Sequence, residues 1–159
     1  MTMQASCELC LKSAEEPEVP AADGMIFHSK KFHVVLVDDA AYPGFCRVIW
    51  NDHVKEMTDL EEGDRALLMD VLWQVEAAVR EVMRPDKINL ASLGNVVPHL
   101  HWHIIPRYLD DAHFPNPVWA EAQRAPSGLA PRIALLPRLS RTIVERIGLY
   151  GQYDGSGAA

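Results

Sequence analysis

The sequence predicts an α+β fold, in which an antiparallel sheet of about five strands carries one long helix on one face and a C-terminal helical extension. Several short segments combine β-branched and aromatic residues between turn residues, and a single long segment has helical periodicity. Residues 99–105 alternate between polar and apolar side chains, which suits a sheet whose two faces meet different surroundings.

The first half of the chain supplies three strands. Residues 25–28 and 31–37 are strand-like and joined by a tight turn, and residues 45–50 have the β-branched and aromatic content of a third strand. Turn residues at 38–44 predict a loop. Residues 11–24 are acidic and contain proline, which is typical of a connector.

The long helix is predicted from Thr58 to Arg84. Thr58 and Glu61 have the spacing of a capping box, and Pro85 marks the end of the helix. Apolar residues recur at steps of three and four, which places one apolar face against the sheet: Leu68, Val71, Leu72, Val75, Ala78, Val79 and Val82. An exposed apolar side is expected of Val71, Val75 or Val79, which would be consistent with pairing of two chains.

Two further strands, at 87–93 and 99–106, complete the sheet. Residues 112–131 contain four prolines and are expected to wrap the surface, whereas 137–147 have helical spacing.

These elements predict one domain over 1–110, an extension over 111–152 packed on the same domain, and a disordered tail over 153–159.

The charge balance excludes some classes of partner. Lys and Arg number 15 against 22 Asp and Glu, giving a net charge of −7. This disfavours a nucleic acid polymer or an anionic membrane as partner. No apolar run reaches the roughly 20 residues that span a bilayer, and the first 25 residues lack the pattern of a signal peptide, so we expect a cytoplasmic protein.

The most informative segment contains His99, His101 and His103. On a regular strand these three side chains share one face, because alternate residues point the same way. Neighbouring histidines two apart have Cα atoms about 6.6 Å apart, which suits one metal ion, but His99 and His103 would be about 13 Å apart. One ion therefore cannot bind all three, and at least one imidazole needs another role, as nucleophile or as acid and base. The alternative, a solvent-facing polar edge, has no need of histidine.

Cysteine occurs three times, at Cys7, Cys10 and Cys46, and an odd count in a cytoplasmic chain argues against a disulfide framework. The Cys7-x-x-Cys10 pair has the spacing either to chelate a soft metal or to form a redox pair.

The segment His99–Ile105, followed by Pro106-Arg107, resembles the signature of the histidine triad (HIT) family, His-φ-His-φ-His-φ-φ with φ apolar. The order of elements from Cys7 to Arg107 agrees with that family. The resemblance implies a nucleotide hydrolase or transferase of the HIT fold. It also implies a two-fold homodimer that pairs through the long helix and the neighbouring strand.

The resemblance also implies roles for individual residues. His101 is the expected nucleophile at the α-phosphorus of a nucleoside phosphate, and His103 is the expected phosphate contact, with His99 completing the catalytic triad. Substrate is expected to meet the Asn89 and Asn95 amides, the backbone of Gly94 and Val96, and the carboxylate of Asp38, with Asp39 as the alternative. Either asparagine is equally compatible with a turn or strand-end role.

Relatives with a structural zinc suggest the ligand set Cys7, Cys10, His53 and His99, while the chemistry itself requires no cofactor. Without zinc, His99 would hydrogen bond within the site and the thiols would remain reduced.

The expected substrate is a purine nucleotide or dinucleotide. The expected activity is hydrolysis of a phosphoramidate or phosphoanhydride, with a nucleotidyl transferase or phosphorylase, or a non-catalytic nucleotide-binding scaffold, as the alternatives.

Overall fold

A computed structural model describes residues 7–13 and 24–152 of the chain. The helices and strands, in chain order, are α1 (Glu8–Ser13), β1 (Met25–His28), β2 (Phe32–Leu36), β3 (Cys46–Trp50), α2 (Glu62–Met83), β4 (Lys87–Ala91), β5 (His101–Arg107), α3 (Leu129–Ile133) and α4 (Leu136–Ile147). Short 3₁₀ turns cover Met57–Asp59 and Gly148–Gln152. The predicted tail and most of the predicted connector lie outside the described residues, and α1 extends to Ser13 where the connector was expected to begin.

The five strands form one antiparallel sheet in the order β1-β2-β3-β5-β4, which confirms the predicted fold class. β3 lies at the centre, between β2 and β5. Its register places Arg47 opposite His103 and Ile49 opposite His101. The central strand therefore contributes side chains to the same face of the sheet as the two histidines.

Helix α2 packs on the other face of the sheet, as the periodicity predicted, but it begins at Glu62 rather than Thr58. Thr58 lies inside the 3₁₀ turn that precedes the helix. Glu56 and Asp59 form the capping box of that turn. The predicted start of α2 is therefore about one turn too early. The capping box that forms lies at the N-terminus of the 3₁₀ turn and not at the N-terminus of the helix.

Helix α4 packs against α2 and buries Leu139, Ile143 and Ile147 completely. Val71, Val75 and Val79 of α2 are also fully buried in the same apolar core. The expected exposed side of these valines is therefore wrong, since the sheet and the C-terminal helix cover α2 within one chain. The large exposed apolar residue of α2 is Trp73, with 54% of its surface accessible.

A buried ion pair anchors the start of the C-terminal extension to the sheet. The Arg107 Nε donates to Asp111 at 2.7 Å, and both side chains are 2% exposed. The carboxylate of Asp111 also accepts the backbone N–H groups of Tyr108, His113 and Phe114. The loop after β5 is thereby folded back onto the sheet.

Within residues 7–13 and 24–152, no helix is long and apolar enough to cross a membrane.

Candidate active site and metal cluster

The three histidines of residues 99–103 belong to two different clusters of side chains. β5 begins at His101, so His101 and His103 share one face of the strand while Leu100 and Ile104 are buried on the α2 side. His99 precedes the strand, and its ring lies against Cys7 and Cys10 instead. The predicted alternation of side chains is confirmed from His101 onward, but His99 lies before the strand.

The tautomer of His101 is fixed by the backbone. Its Nδ1–H donates to the carbonyl oxygen of His99 at 2.6 Å, which leaves the lone pair on Nε2. Burial lowers the pKa of His101 and outweighs the hydrogen bond to His99, which favours the protonated ring. The ring is therefore neutral near pH 7, and it has the form that an imidazole nucleophile requires.

His103 has the opposite tautomer. The Nε–H of Arg47 donates to His103 Nδ1 at 3.4 Å, so the proton of the neutral ring is on Nε2. Burial, together with the neighbouring His101 and Arg47, lowers the pKa of His103 to about 3. The His101 and His103 ring centroids are 4.8 Å apart. A lone pair and an N–H donor thus lie side by side on one face of β5.

These two rings line a cavity of about 510 Å³, which is within the usual size range of small-molecule sites. The predicted loop residues Gly94, Asn95 and Val96 form part of its wall. Within the described part of the chain, the backbone N–H groups of these three residues donate no hydrogen bond. The rest of the wall comes from α1, from β3, from neighbouring loop residues and from the extension: Glu8, Leu9, Arg47, Leu93, Val97 and Trp119.

A second cavity of about 750 Å³ lies on the other side of Arg47 and is lined by Asp38 and Asp39. Asp39 accepts the N–H of Ala41 at 2.9 Å and so stabilises its own loop. Asp38 is exposed, whereas Asp39 is half-buried. Of the two acidic candidates, Asp38 is therefore the one available to a ligand hydroxyl.

Asn89 does not line the cavity that contains His101. It lies on β4, where its Oδ1 accepts a hydrogen bond from Arg107 at 2.7 Å. Asn89 thereby joins the buried Arg107–Asp111 pair. Asn89 lies opposite Ile105, and its contact with substrate stays a prediction.

The second cluster brings together the four predicted metal ligands. The donor atoms of Cys7, Cys10, His53 and His99 all lie within 4.8 Å of one another. Cys10 Sγ is 3.3 Å from His53 Nδ1 and 3.5 Å from His99 Nδ1, and Cys7 Sγ is also 3.5 Å from His99 Nδ1. A tetrahedral zinc ion with ordinary bond lengths separates sulfur and nitrogen ligands by about 3.5 Å. The donor spacing therefore fits such an ion.

The hydrogen bonding of His99 supports the same interpretation. Its Nε2–H donates to the carbonyl oxygen of Trp50 at 2.6 Å, which leaves the Nδ1 lone pair facing the two sulfur atoms. A second-shell acceptor of this kind is typical of histidines that bind zinc. Both cysteines are buried. Cys7, Cys10, His53 and His99 form a group that is able to hold a metal ion.

Among the cavity residues that the sequence did not predict, two contact His103. Arg47 reaches the site only through the pairing of β3 with β5, and Trp119 only through the folding back of the extension, where its ring centroid lies 5.3 Å from His103. Both are long-range contacts. The one available signal was the position of Arg47, a lone charge between apolar residues of a central strand.

The family model described as HIT domain matches residues 18–110, which is more than half of the chain. The chain therefore belongs to the HIT domain family. A curated relative, AP-4-A phosphorylase of Mycobacterium tuberculosis (strain CDC 1551 / Oshkosh), is 27% identical over 107 residues. That match covers 63% of this chain and 55% of the relative, so the chain spans about half the length of the curated relatives it matches.

Solved structures agree with this assignment. A histidine triad protein from Bradyrhizobium japonicum is 31% identical with a TM-score of 0.64, covering 80% of this chain and 97% of that one. A histidine triad protein from Marinobacter aquaeolei VT8 is 26% identical with a TM-score of 0.65, covering 83% of this chain and 97% of that one. A zinc-bound histidine triad family protein from Mycobacterium smegmatis shares the fold at 19% identity, with a TM-score of 0.61 and coverage of 91% and 97%.

Proposed function

We propose that this protein is a nucleotide hydrolase that cleaves a phosphoramidate or phosphoanhydride bond at the α-phosphorus of a nucleoside phosphate through a nucleotidyl-His101 intermediate. The observation that carries this proposal is the fixed tautomer of His101, whose Nδ1–H is held by the His99 carbonyl at 2.6 Å. Its Nε2 is a neutral nucleophile, and its neighbour His103 offers an N–H donor.

In the first step, the Nε2 lone pair of His101 attacks the α-phosphorus, and the bond from phosphorus to the leaving group breaks with its electron pair. A phosphate chain departs as an anion, whereas an amine takes up a proton from water as it departs. His103 and the free backbone N–H groups of Gly94, Asn95 and Val96 donate to the phosphoryl oxygens, where negative charge accumulates. In the second step, water attacks phosphorus, the P–N bond breaks, and a proton is released. His101 then returns to its neutral form.

The nucleoside half of the substrate is assigned to the larger cavity, where exposed Asp38 accepts hydrogen bonds from the ribose hydroxyls. The substrate class is a purine nucleotide or dinucleotide. The name of the Mycobacterium tuberculosis relative, AP-4-A phosphorylase, supports a dinucleoside polyphosphate.

Zinc in the cluster of Cys7, Cys10, His53 and His99 is proposed as a structural ion, which supplies no chemistry at phosphorus. The donor spacing supports it, as does the zinc-bound histidine triad neighbour. Cys7 and Cys10 flank Glu8 and Leu9, which line the His101 cavity. Holding these cysteines would therefore fix one wall of the cavity.

A phosphorylase is the second candidate, because the curated relative carries that name. In this version inorganic phosphate rather than water attacks the nucleotidyl-His101 intermediate. The first step and its residues are the same, so the acceptor alone separates the two activities.

The test is to incubate the purified protein with diadenosine tetraphosphate and, separately, with adenosine 5′-phosphoramidate, each with and without inorganic phosphate. Release of AMP without phosphate supports the hydrolase, and ADP formed only when phosphate is present supports the phosphorylase. His101→Ala is expected to lower either rate at least about 1,000-fold. No turnover of either nucleotide by the unmodified protein would contradict both candidates in favour of a binding scaffold.

A further inference from the structure

Arg47 is a positive charge inside the site, and no carboxylate of the described residues pairs with it. It lies on β3, half-buried, and its guanidinium is 5.8 Å from the centroid of the Phe45 ring. Among the described residues, its side chain makes one hydrogen bond, the 3.4 Å contact to His103, and no salt bridge. Burial lowers the pKa of Arg47, since desolvation disfavours the charged form. An anion bound beside it would relieve that cost.

The position of Arg47 is also unusual, because its side chain lines both cavities. On one side it meets the cavity of Asp38 and Asp39, whose carboxylates disfavour a phosphate chain. On the other side it meets the cavity of His101 and His103, where Glu8 on the rim is the one acidic residue among the described lining residues. The guanidinium is thus placed beside the reacting histidines, between a nucleoside bound near Asp38 and the group that leaves.

Leaving groups of the two substrate types differ sharply in charge. The amine that leaves a phosphoramidate carries no negative charge, whereas the phosphate chain that leaves a dinucleoside polyphosphate carries several. A guanidinium in a partly desolvated site binds phosphate through charge-assisted, often bidentate hydrogen bonds. The binding becomes stronger as the negative charge of the bound group increases. It gives little advantage to a neutral amine.

Building on the proposed function, we propose that Arg47 is a specificity-determining residue that selects substrates with a phosphate-chain leaving group over substrates with an amine leaving group. As His101 Nε2 forms its bond to the α-phosphorus, the P–O bond to the next phosphate breaks. The chain departs with the electron pair and binds Arg47, which keeps its proton. The same guanidinium holds His103 Nδ1 as an acceptor and so keeps the Nε2–H of His103 as a donor to the phosphoryl group.

The test compares Arg47→Met and Arg47→Lys with the unmodified protein, using kcat/KM for diadenosine tetraphosphate and for adenosine 5′-phosphoramidate. Arg80→Met is the matched control, because it removes the same charge from the exposed side of α2. Arg47→Met is expected to lower the ratio of the two kcat/KM values about 30-fold, Arg47→Lys to restore most of it, and Arg80→Met to leave it unchanged. An equal loss on both substrates, or no loss, would overturn the proposal.

A binding measurement keeps the proposal testable without turnover. Inorganic tripolyphosphate is titrated calorimetrically into the unmodified protein and the same variants. The dissociation constant is expected to rise about 30-fold in Arg47→Met and to stay constant in Arg80→Met, and equal affinities would overturn the proposal. If no nucleotide is turned over but tripolyphosphate binding depends on Arg47, the proposed function fails while the anion subsite stands. Thermal unfolding of each variant shows whether it is folded.

Discussion

The backbone carbonyl of His99 accepts the Nδ1–H of His101 at 2.6 Å, while the side chain of His99 faces Cys7 and Cys10. One residue thus belongs to two clusters. Its backbone sets the tautomer of the candidate nucleophile, and its ring completes the candidate metal site. The conformation of His99 therefore couples the two sites directly, over a separation of two residues.

This relationship gives a prediction about metal removal. Protein purified without chelator is expected to contain one equivalent of zinc, and Cys10→Ser is expected to lose it, because a three-ligand site binds far more weakly. Elemental analysis after gel filtration measures the metal content. Removing zinc is expected to lower Tm and to raise amide hydrogen exchange in α1, which Cys7 and Cys10 anchor.

Cys46→Ala is the matched control for the metal measurement, since Cys46 is buried in the main core and is not one of the four clustered donors. It is expected to keep the full zinc content. Less than about a tenth of an equivalent in the unmodified protein would contradict the metal site.

The buried pair of Arg107 and Asp111 predicts a stability effect. Asp111→Asn leaves the Arg107 guanidinium buried without its counter-ion, so the free energy of unfolding is expected to fall by about 3–5 kcal/mol. Urea unfolding at pH 7 measures it. Asp110→Asn is the control, because the Asp110–Arg132 pair is partly exposed, and its loss is expected to cost less than about 1 kcal/mol. Equal effects of the two substitutions would contradict this account.

The same carboxylate predicts a dependence of stability on pH. Burial alone raises the pKa of Asp111, but hydrogen bonds from Arg107 and three backbone N–H groups overcome it and hold the pKa at about 2, below the ordinary 3.8. Because the folded-state pKa is lowered, this contribution of roughly 2 kcal/mol is present above about pH 4 and is lost as the pH falls toward 2. Urea unfolding between pH 2 and pH 7 should show this loss in the unmodified protein. Asp111→Asn should lack that component, and an unchanged acid dependence would refute the assignment.

Oligomeric state gives a further prediction. Within the described residues, β4 pairs only with β5, so its outer edge is open, and Leu90 on that strand and Trp73 on α2 are 37% and 54% exposed. We propose that this edge pairs with a second copy, as the family resemblance implies. Sedimentation velocity is expected to show a dimer, and Trp73→Glu to raise its dissociation constant at least about 100-fold.

Leu149→Glu is the control for the dimer, because Leu149 is an exposed apolar residue of the C-terminal 3₁₀ turn. It is expected to sediment like the unmodified protein. A monomer at about 100 µM in the unmodified protein would contradict the dimer.

The elements that local patterns specify could be predicted from the sequence. The five strands and α2 follow from periodicity, and the alternation after His99 correctly separated the face of β5 that carries His101 and His103 from the apolar face. The predicted start of α2 was wrong because Thr58 and Glu61 have the spacing of a capping box, whereas the capping box that forms consists of Glu56 and Asp59. Local spacing alone does not distinguish the two.

The candidate site required contacts that no local pattern specifies. Arg47 meets His103 through strand register, and Asn89 is drawn to Arg107 by a buried network that forms only in the folded chain. The prediction of an exposed side for Val71, Val75 or Val79 was wrong because α4, more than 50 residues later in the chain, covers the helix. Such long-range pairings depend on the whole fold.

The central claim, a covalent bond between His101 Nε2 and the α-phosphorus, is tested most directly by rapid quench and mass spectrometry. Protein is mixed with excess diadenosine tetraphosphate and quenched in alkaline denaturant, because the P–N bond of a phosphorylated imidazole is labile in acid. The digested protein is then searched for an AMP group. We predict AMP on the peptide containing His101, formed at a rate no slower than turnover, present in His28→Ala and absent in His101→Ala. Turnover without any labelled histidine, or with the label on another residue, would contradict the account.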